Sequence, residues 1–304
     1  MLTANFKIIR RWARRLTRGL IQLTRYREYV LFVVVITLFG AKLGGGTPDL
    51  KLIGVTLANL LVVAFAFMYN DVVDAPDDAL DARKAVRNPI SAGLISERTG
   101  LIACAIVALL VLSLYALLGG MALLMGTLAL ALGFLYSWRA SRLKAVPIAD
   151  LISHSLSLAG LQFLAAYFAY GQGQPYGWMF VLVVGLISVY GQLSNELRDL
   201  SVDRKAGIRH TAHWLGPRWT KCLMVLSLVA AASVLGAMLW LGTIPLWLLA
   251  IPLAAAPFVF GRPAWRLVRG ESNLMDDREH MHDPMLVVGL ITVTVWFVSE
   301  RLTL

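Results

Sequence analysis

Charge is what this chain has least of. Only 15% of its 304 residues are Asp, Glu, Lys or Arg, against 58% hydrophobic residues and a mean hydropathy of +0.70. That balance excludes an ordinary soluble domain. Cysteine is nearly missing too: Cys104 and Cys222 both fall inside apolar runs, where they read as packing residues and not as a disulfide or a metal pair. Acids are absent from residues 1-27, although this stretch holds basic side chains from Lys7 to Arg27. No short apolar region with a small-residue cleavage site follows it, so a removable signal peptide is not expected.

What the chain does have is apolar length. A membrane span needs about 20 largely apolar residues, and runs bounded by Gly, Pro and charge occur near 29-46, 52-70, 100-118, 121-137, 148-170, 177-195, 219-241, 244-260 and 284-302. The fold class expected is therefore all-α: an integral, multi-pass membrane protein of nine transmembrane helices. It divides into a basic amphipathic cytoplasmic segment, 1-27, and a nine-helix membrane domain, 28-304. In the first segment Arg10, Arg11, Arg14, Arg15 and Arg18 alternate with Phe6, Ile9, Trp12 and Leu16, the pattern of a helix lying on anionic lipid.

Topology explains the net charge of +10 without nucleic acid as a partner. Of the 28 Lys and Arg, all but Lys42, Lys51 and Arg301 fall in the N-terminal segment, in the loops after the second, fourth, sixth and eighth spans or, for Lys221, at the adjoining start of the seventh span. This bias puts the N-terminus in the cytoplasm and the C-terminus outside. Most acids share that cytoplasmic face, so any chemistry belongs there.

Those acids are patterned. Asn70, Asp74 and Asp78 have the same spacing as Asn195, Asp199 and Asp203, 125 residues later, and each trio sits at the cytoplasmic end of a span. A step of four keeps side chains on one helical face, although Pro76 threatens to end the first helix early. Four spans separate the copies, which suggests a duplicated four-helix unit with one helix added. Five aspartates lie within the eleven residues from Asp71 to Asp81, where repulsion and desolvation demand a cation. Carboxylates with an amide oxygen, and neither Cys nor His, suit Mg²⁺, which bridges a few carboxylates to substrate phosphates. Lys84, Arg87, Arg142, Lys144 and Arg198 lie in the same loops and suit phosphate oxygens.

At these residues the chain resembles the UbiA superfamily of intramembrane prenyltransferases. The first family motif is matched by Asn70, Asp71, Asp74 and Asp78, followed by Lys84-x-x-Arg87 and Asn88-Pro89-Ile90-Ser91-Ala92-Gly93; the second is matched by Asn195, Arg198, Asp199 and Asp203; Tyr136-Ser137 and Arg142-Leu143-Lys144 resemble the loop between them. The resemblance implies an enzyme that moves an isoprenyl group from an isoprenyl diphosphate to a lipophilic acceptor, with two Mg²⁺ ions bound beside the diphosphate. It assigns Asp71, Asp74, Asp78, Asp199 and Asp203 to the metals as catalytic residues, and Asn70, Lys84, Arg87, Arg142, Lys144, Asn195 and Arg198 to the diphosphate. Hydroxybenzoate-type members carry Arg seven residues before the motif Asn; Val63 stands there, which favours a quinone-like or other lipid acceptor. His154 is a candidate to orient that acceptor.

Two alternatives remain at this stage. A branch of the same superfamily transfers phosphoribose to polyprenyl phosphate and shares the Lys84-x-x-Arg87 stretch. A cation-coupled transporter would also explain acids in a repeat, but transport sites lie near the midplane, whereas these acids sit at one face. The late segment Asp276 to Asp283, with His280 and His282, reads as a solvated loop before the last span, with Pro284 opening that helix. The orientation is directly testable: alkaline phosphatase fused after Leu304 should be active and fused within the 82-95 loop inactive, and the reverse pattern would contradict it.

Overall fold

The computed structural model describes residues 2–205, 209–270 and 278–302, with the side chains at 2–9, 11, 201–205, 267, 278–281 and 300–302 excepted. Its elements are α-helices: α1 (Leu2–Thr24), α2 (Val30–Leu43), α3 (Leu50–Asp78), α4 (Ala82–Arg87), α5 (Glu97–Leu118), α6 (Gly120–Ser137), α7 (Ala149–Ser155), α8 (Leu161–Tyr170), α9 (Phe180–Lys205), α10 (Thr211–Trp240), α11 (Ala250–Val268) and α12 (Arg278–Leu302). A single π-helical turn, Leu156–Gly160, joins α7 and α8 into one crossing. Among the described residues eight segments are long and apolar enough to span a bilayer, and the shorter apolar α2 is the ninth.

Local chemistry sets the helix ends. Asp49 caps α3 by accepting from the Leu52 N–H at 2.9 Å, and Ser96 caps α5 by accepting from the Thr99 N–H at 3.1 Å, each supplying an acceptor for an N–H the helix leaves open. Pro76 does not end α3. It lies in the last turn and the helix continues to Asp78, so the whole Asn70, Asp74, Asp78 stripe is helical. Two other starts differ from expectation. The chain is already helical from Thr211, but breaks at Gly216 (φ 74) just before Pro217. Pro284 lies inside α12, which begins at Arg278.

The helices form a ring. α3 packs on α2, α5 and α6; α6 meets α8; α7 meets α9; α9 runs against α10; and α11 and α12 return the chain to α2. In lipid the apolar side chains gain little by leaving the solvent, so close packing and buried hydrogen bonds must hold the ring. Asn59 supplies the bonds, donating to Thr37 Oγ1 at 2.7 Å and to the Gln162 carbonyl at 3.0 Å, while the Tyr115 hydroxyl donates to its Oδ1 at 2.5 Å. One amide thus ties α2, α3, α5 and α8 together. Glycine supplies the closeness: a Cβ on Gly40 of α2 would stand 2.5 Å from the Phe163 carbonyl oxygen of α8.

α1 lies against the outside of this ring. Leu23 is buried, Leu16 and Leu20 pack on the same core, and a Cβ at Gly19 would strike Ile95. The apolar stripe of its second half is therefore spent on protein. Cys104 is buried and Cys222 exposed, and both are free. Gly40→Leu should force α2 from α8 and destabilise the fold by about 1–3 kcal/mol. Thermal unfolding in detergent checks this, and an unchanged midpoint would show that the contact is dispensable.

Candidate active site

Both acidic stripes open onto one cavity. Its volume is about 290 Å³, and its wall includes Asn70, Asp74 and Asp78 from α3, Lys84 and Arg87 from α4, Lys144, and Asn195 and Asp199 from α9. The two copies of the pattern, distant in sequence, thus face each other across a single space, as equivalent helices of a duplicated unit would. Asp203 belongs to α9 by its backbone, but its side chain lies outside the described residues.

Each acid is held by a specific partner. The Asn70 amide donates to Asp74 Oδ2 at 3.1 Å and to Ser137 Oγ at 3.0 Å. Lys144 Nζ forms an ion pair with Asp74. Burial pushes the Lys144 ammonium down from the ordinary lysine value, and the neighbouring Asp74 carboxylate acts against that shift. Asn88 is fully buried; its amide donates to the Asp71 carbonyl at 2.7 Å and to Asp78 Oδ2 at 3.0 Å, while its Oδ1 accepts from the Ile90 N–H at 3.0 Å. The Asn88-Pro89-Ile90 turn is thereby folded back against the end of α3. Asp81 caps α4 by accepting from the backbone N–H groups of Lys84 and Arg83, which hold its carboxyl below the usual range. The cap starts the short helix from which Lys84 and Arg87 arise.

Three expected site residues do not line the cavity: Asp71, Arg142 and Arg198. Asp71 lies on the same side of α3 as Asp78, about two turns earlier, but is 1% exposed. It faces Arg25, whose Nη1 is 3.3 Å from its Oδ1. Arg25 also pairs with Glu28 and stacks over Phe67 at 4.6 Å. No spacing rule marked Arg25, because it comes from the N-terminal segment and reaches the motif only through tertiary packing. Arg142 pairs with Asp77 at 3.1 Å, and Arg198 lies 3.4 Å from its neighbour Asp199.

The second stripe rests on buried acids that the motif reading overlooked. Asp150 accepts from the Thr211 N–H at 2.6 Å and from its hydroxyl at 2.5 Å, and Glu196 accepts from Gln192 at 3.0 Å and from the Ala212 N–H at 2.9 Å. His210 Nδ1 is 3.1 Å from Glu196. Asp150, Glu196 and His210 offer ligand atoms within 4.8 Å of one another. Their oxygens are already taken by N–H and O–H donors, so the group acts as a lock that fastens the start of α10 to α7 and α9. Glu196 was a legible signal, since it interrupts the Asn195 to Asp199 pattern; Asp150, alone in an apolar run, was not.

A divalent cation fits the first stripe on structural grounds. Asp71 Oδ2 and Asp74 Oδ1 are buried carboxylate oxygens without a hydrogen-bond partner, a state that costs free energy unless something positive is supplied. The deeper wall is different in kind: Ala66, Phe67, Gly133 and Leu158 are interleaved with Tyr136, His154, Ser157 and Gln192. Tyr136 and His154 have ring centroids 6.2 Å apart. The cavity thus runs from a charged mouth to an interior that mixes apolar and polar side chains, a shape suited to a molecule with a phosphate head and a hydrocarbon tail.

The UbiA prenyltransferase family model matches residues 31–281. A 4-hydroxybenzoate octaprenyltransferase of Alkalilimnicola ehrlichii is 25% identical over 218 residues, covering 71% of this chain and 72% of its own. The solved UbiA homologue from Archaeoglobus fulgidus bound to GPP and Mg²⁺ superposes with a TM-score of 0.68 at 18% identity, over 91% of this chain and 99% of that one. The apo UbiA homologue from Aeropyrum pernix gives 0.68 at 20% identity, over 90% and 98%. Both likenesses establish the fold.

Replacing Asn88 by Ala should leave Asp78 and the Asp71 carbonyl without their donor, at about 1–3 kcal/mol of stability, and should weaken Mg²⁺-dependent activity through the loosened end of α3. Unfolding midpoints and Mg²⁺ titrations test the two effects separately, and a wild-type Mg²⁺ titration in a destabilised variant would limit Asn88 to the fold.

Proposed function

The chain belongs to the UbiA prenyltransferase family, and on that premise we propose that it transfers an isoprenyl group from an isoprenyl diphosphate to an apolar, quinone-like or other lipid acceptor in the cavity between α3 and α9. The observation that carries this reading is the convergence of both Asn/Asp stripes and the Lys84, Arg87 and Lys144 cations on one space whose inner wall includes the apolar Ala66, Phe67, Gly133 and Leu158. A free polyanion would have no use for that wall, and an unphosphorylated lipid none for the mouth.

Asp71, Asp74 and Asp78 would hold one Mg²⁺, and Asp199 with Asp203 a second; bound there, the ions would neutralise charge on the departing diphosphate. Asn70 and Asn195 support the carboxylates, while Lys84, Arg87, Lys144, Arg142 and Arg198 supply cations for the remaining phosphate oxygens. Asp71 would act from its buried position beside Asp78, where Arg25 balances its charge. Phe67 and Leu158 keep water from the allylic carbon while the acceptor attacks. We place this mouth on the cytoplasmic side, where the charge bias puts it.

The inner wall also bears on the acceptor. Val63 lies one turn deeper than Ala66 and Phe67 on the same side of α3 and is 1% exposed, so no cation stands there to pair with a carboxylate. An acceptor with a hydroxyl or carbonyl fits the Tyr136, His154 and Gln192 group better than a benzoate does, despite the name of the Alkalilimnicola relative. Asp74→Ala and Asp199→Ala should each lose Mg²⁺-dependent binding of geranyl diphosphate and lower transfer by at least about a hundredfold. Parallel assays with phosphoribosyl diphosphate and polyprenyl phosphate decide the substrate. Turnover there, with none of prenyl diphosphate, would replace this reading by phosphoribosyl transfer, and unchanged binding in both variants would remove the metal clamp altogether.

A further inference from the structure

Beside the catalytic cavity lies a larger groove, about 980 Å³, between α1 and the segment that follows it. Arg10, Arg14, Arg18, Arg25, Arg27 and Arg87 line it, and Glu28 is its one acid. Arg10, Arg14 and Arg18 recur every fourth residue, so α1 carries like charges at the spacing where they repel most. A lipid surface explains basic residues on a free amphipathic helix, but the second half of α1 has already placed Leu16, Leu20 and Leu23 against the bundle. Arg15 is used in the same docking, donating to the Gly93 carbonyl. Gln22 completes it by donating to the Val86 and Arg87 carbonyls at 2.9 and 2.7 Å, which fixes the end of α4 to α1.

The groove and the catalytic cavity are neighbours with a shared wall. Arg87 lines both. Arg25, on the groove side, lies over the ring of Phe67, which lines the cavity, and its guanidinium contacts Asp71 of the acidic motif. Guanidinium forks match phosphate oxygens two at a time, and a concave surface of one sign concentrates the opposite charge. We propose that this arginine groove is a second phosphoanion site, contiguous with the catalytic cavity through Arg87. It would take either inorganic diphosphate leaving the reaction or the phosphate of an anionic lipid headgroup. The groove stands on its own geometry; only its service to the product rests on the transferase reading.

Arg14→Gln/Arg18→Gln tests this in the full chain, purified in detergent and reconstituted in nanodiscs. Both side chains are exposed, and an unchanged thermal midpoint confirms the fold. Labelled inorganic diphosphate should occupy two classes of site on the wild type, one lost in the arginine variant and the other in Asp74→Ala. That pattern separates this proposal from the catalytic one. If diphosphate binding is the same in wild type and variant, but phosphatidylglycerol retained by the wild type is lost, the occupant is a lipid headgroup. Arg14→Lys/Arg18→Lys, which keeps charge but not the planar fork, should fall between. Equal diphosphate binding together with equal lipid retention in wild type and the glutamine variant would overturn the site.

Discussion

Everything in this protein is arranged around carboxylates gathered at the end of an apolar bundle. Charges of one sign at such a boundary repel one another and lose hydration, so each must find a partner. The structure meets the demand in layers. Lys144 and Arg25 pair with Asp74 and Asp71, Asn88 donates to Asp78, and two carboxylate oxygens are left without donors. Those two oxygens, and the stripe on α9, are where the proposed divalent cation and diphosphate would complete the balance.

The supporting architecture follows from the same scarcity of polar groups. Within the spans, hydroxyls such as Thr56 and Thr127 bond only their own helix, and a few polar residues do the linking between helices. Asn59 joins four helical segments. At the other end of the ring, Asp150 and Glu196 fasten Thr211 and Ala212 to α7 and α9. These locks set where α9 stands relative to α3, and hence whether two distant stripes form one site. Docking of α1 plays the corresponding part for the first stripe, because it brings Arg25 to Asp71 and fixes the backbone from which Arg87 projects.

Much of this was legible in the chain itself. Nine apolar runs, the bias of Lys and Arg to alternate loops, and the repeated Asn-x-x-x-Asp-x-x-x-Asp spacing depend on local periodicity, and periodicity survives in a sequence read without partners. The helical continuation through Pro76 was less clear, since a proline removes one backbone hydrogen bond and crowds the preceding turn, yet α3 runs on to Asp78. The earlier start of the seventh span was hidden by Gly216 and Pro217, which break the helix without ending it.

Residue type and spacing alone determined that this is a polytopic helical protein carrying two hard-ligand stripes and a set of basic loops. Only the tertiary structure decided which of those groups share a space. It turned Asp71 toward Arg25, joined Arg142 to Asp77, and made Asp150 and Glu196 fasteners instead of ligands. The physical reason is that a helix fixes the direction of a side chain relative to its own axis, whereas the side chain's partner is fixed by how that axis is rotated against its neighbours. That rotation is set by contacts such as Gly40 on Phe163, made between residues too far apart in the chain to announce one another.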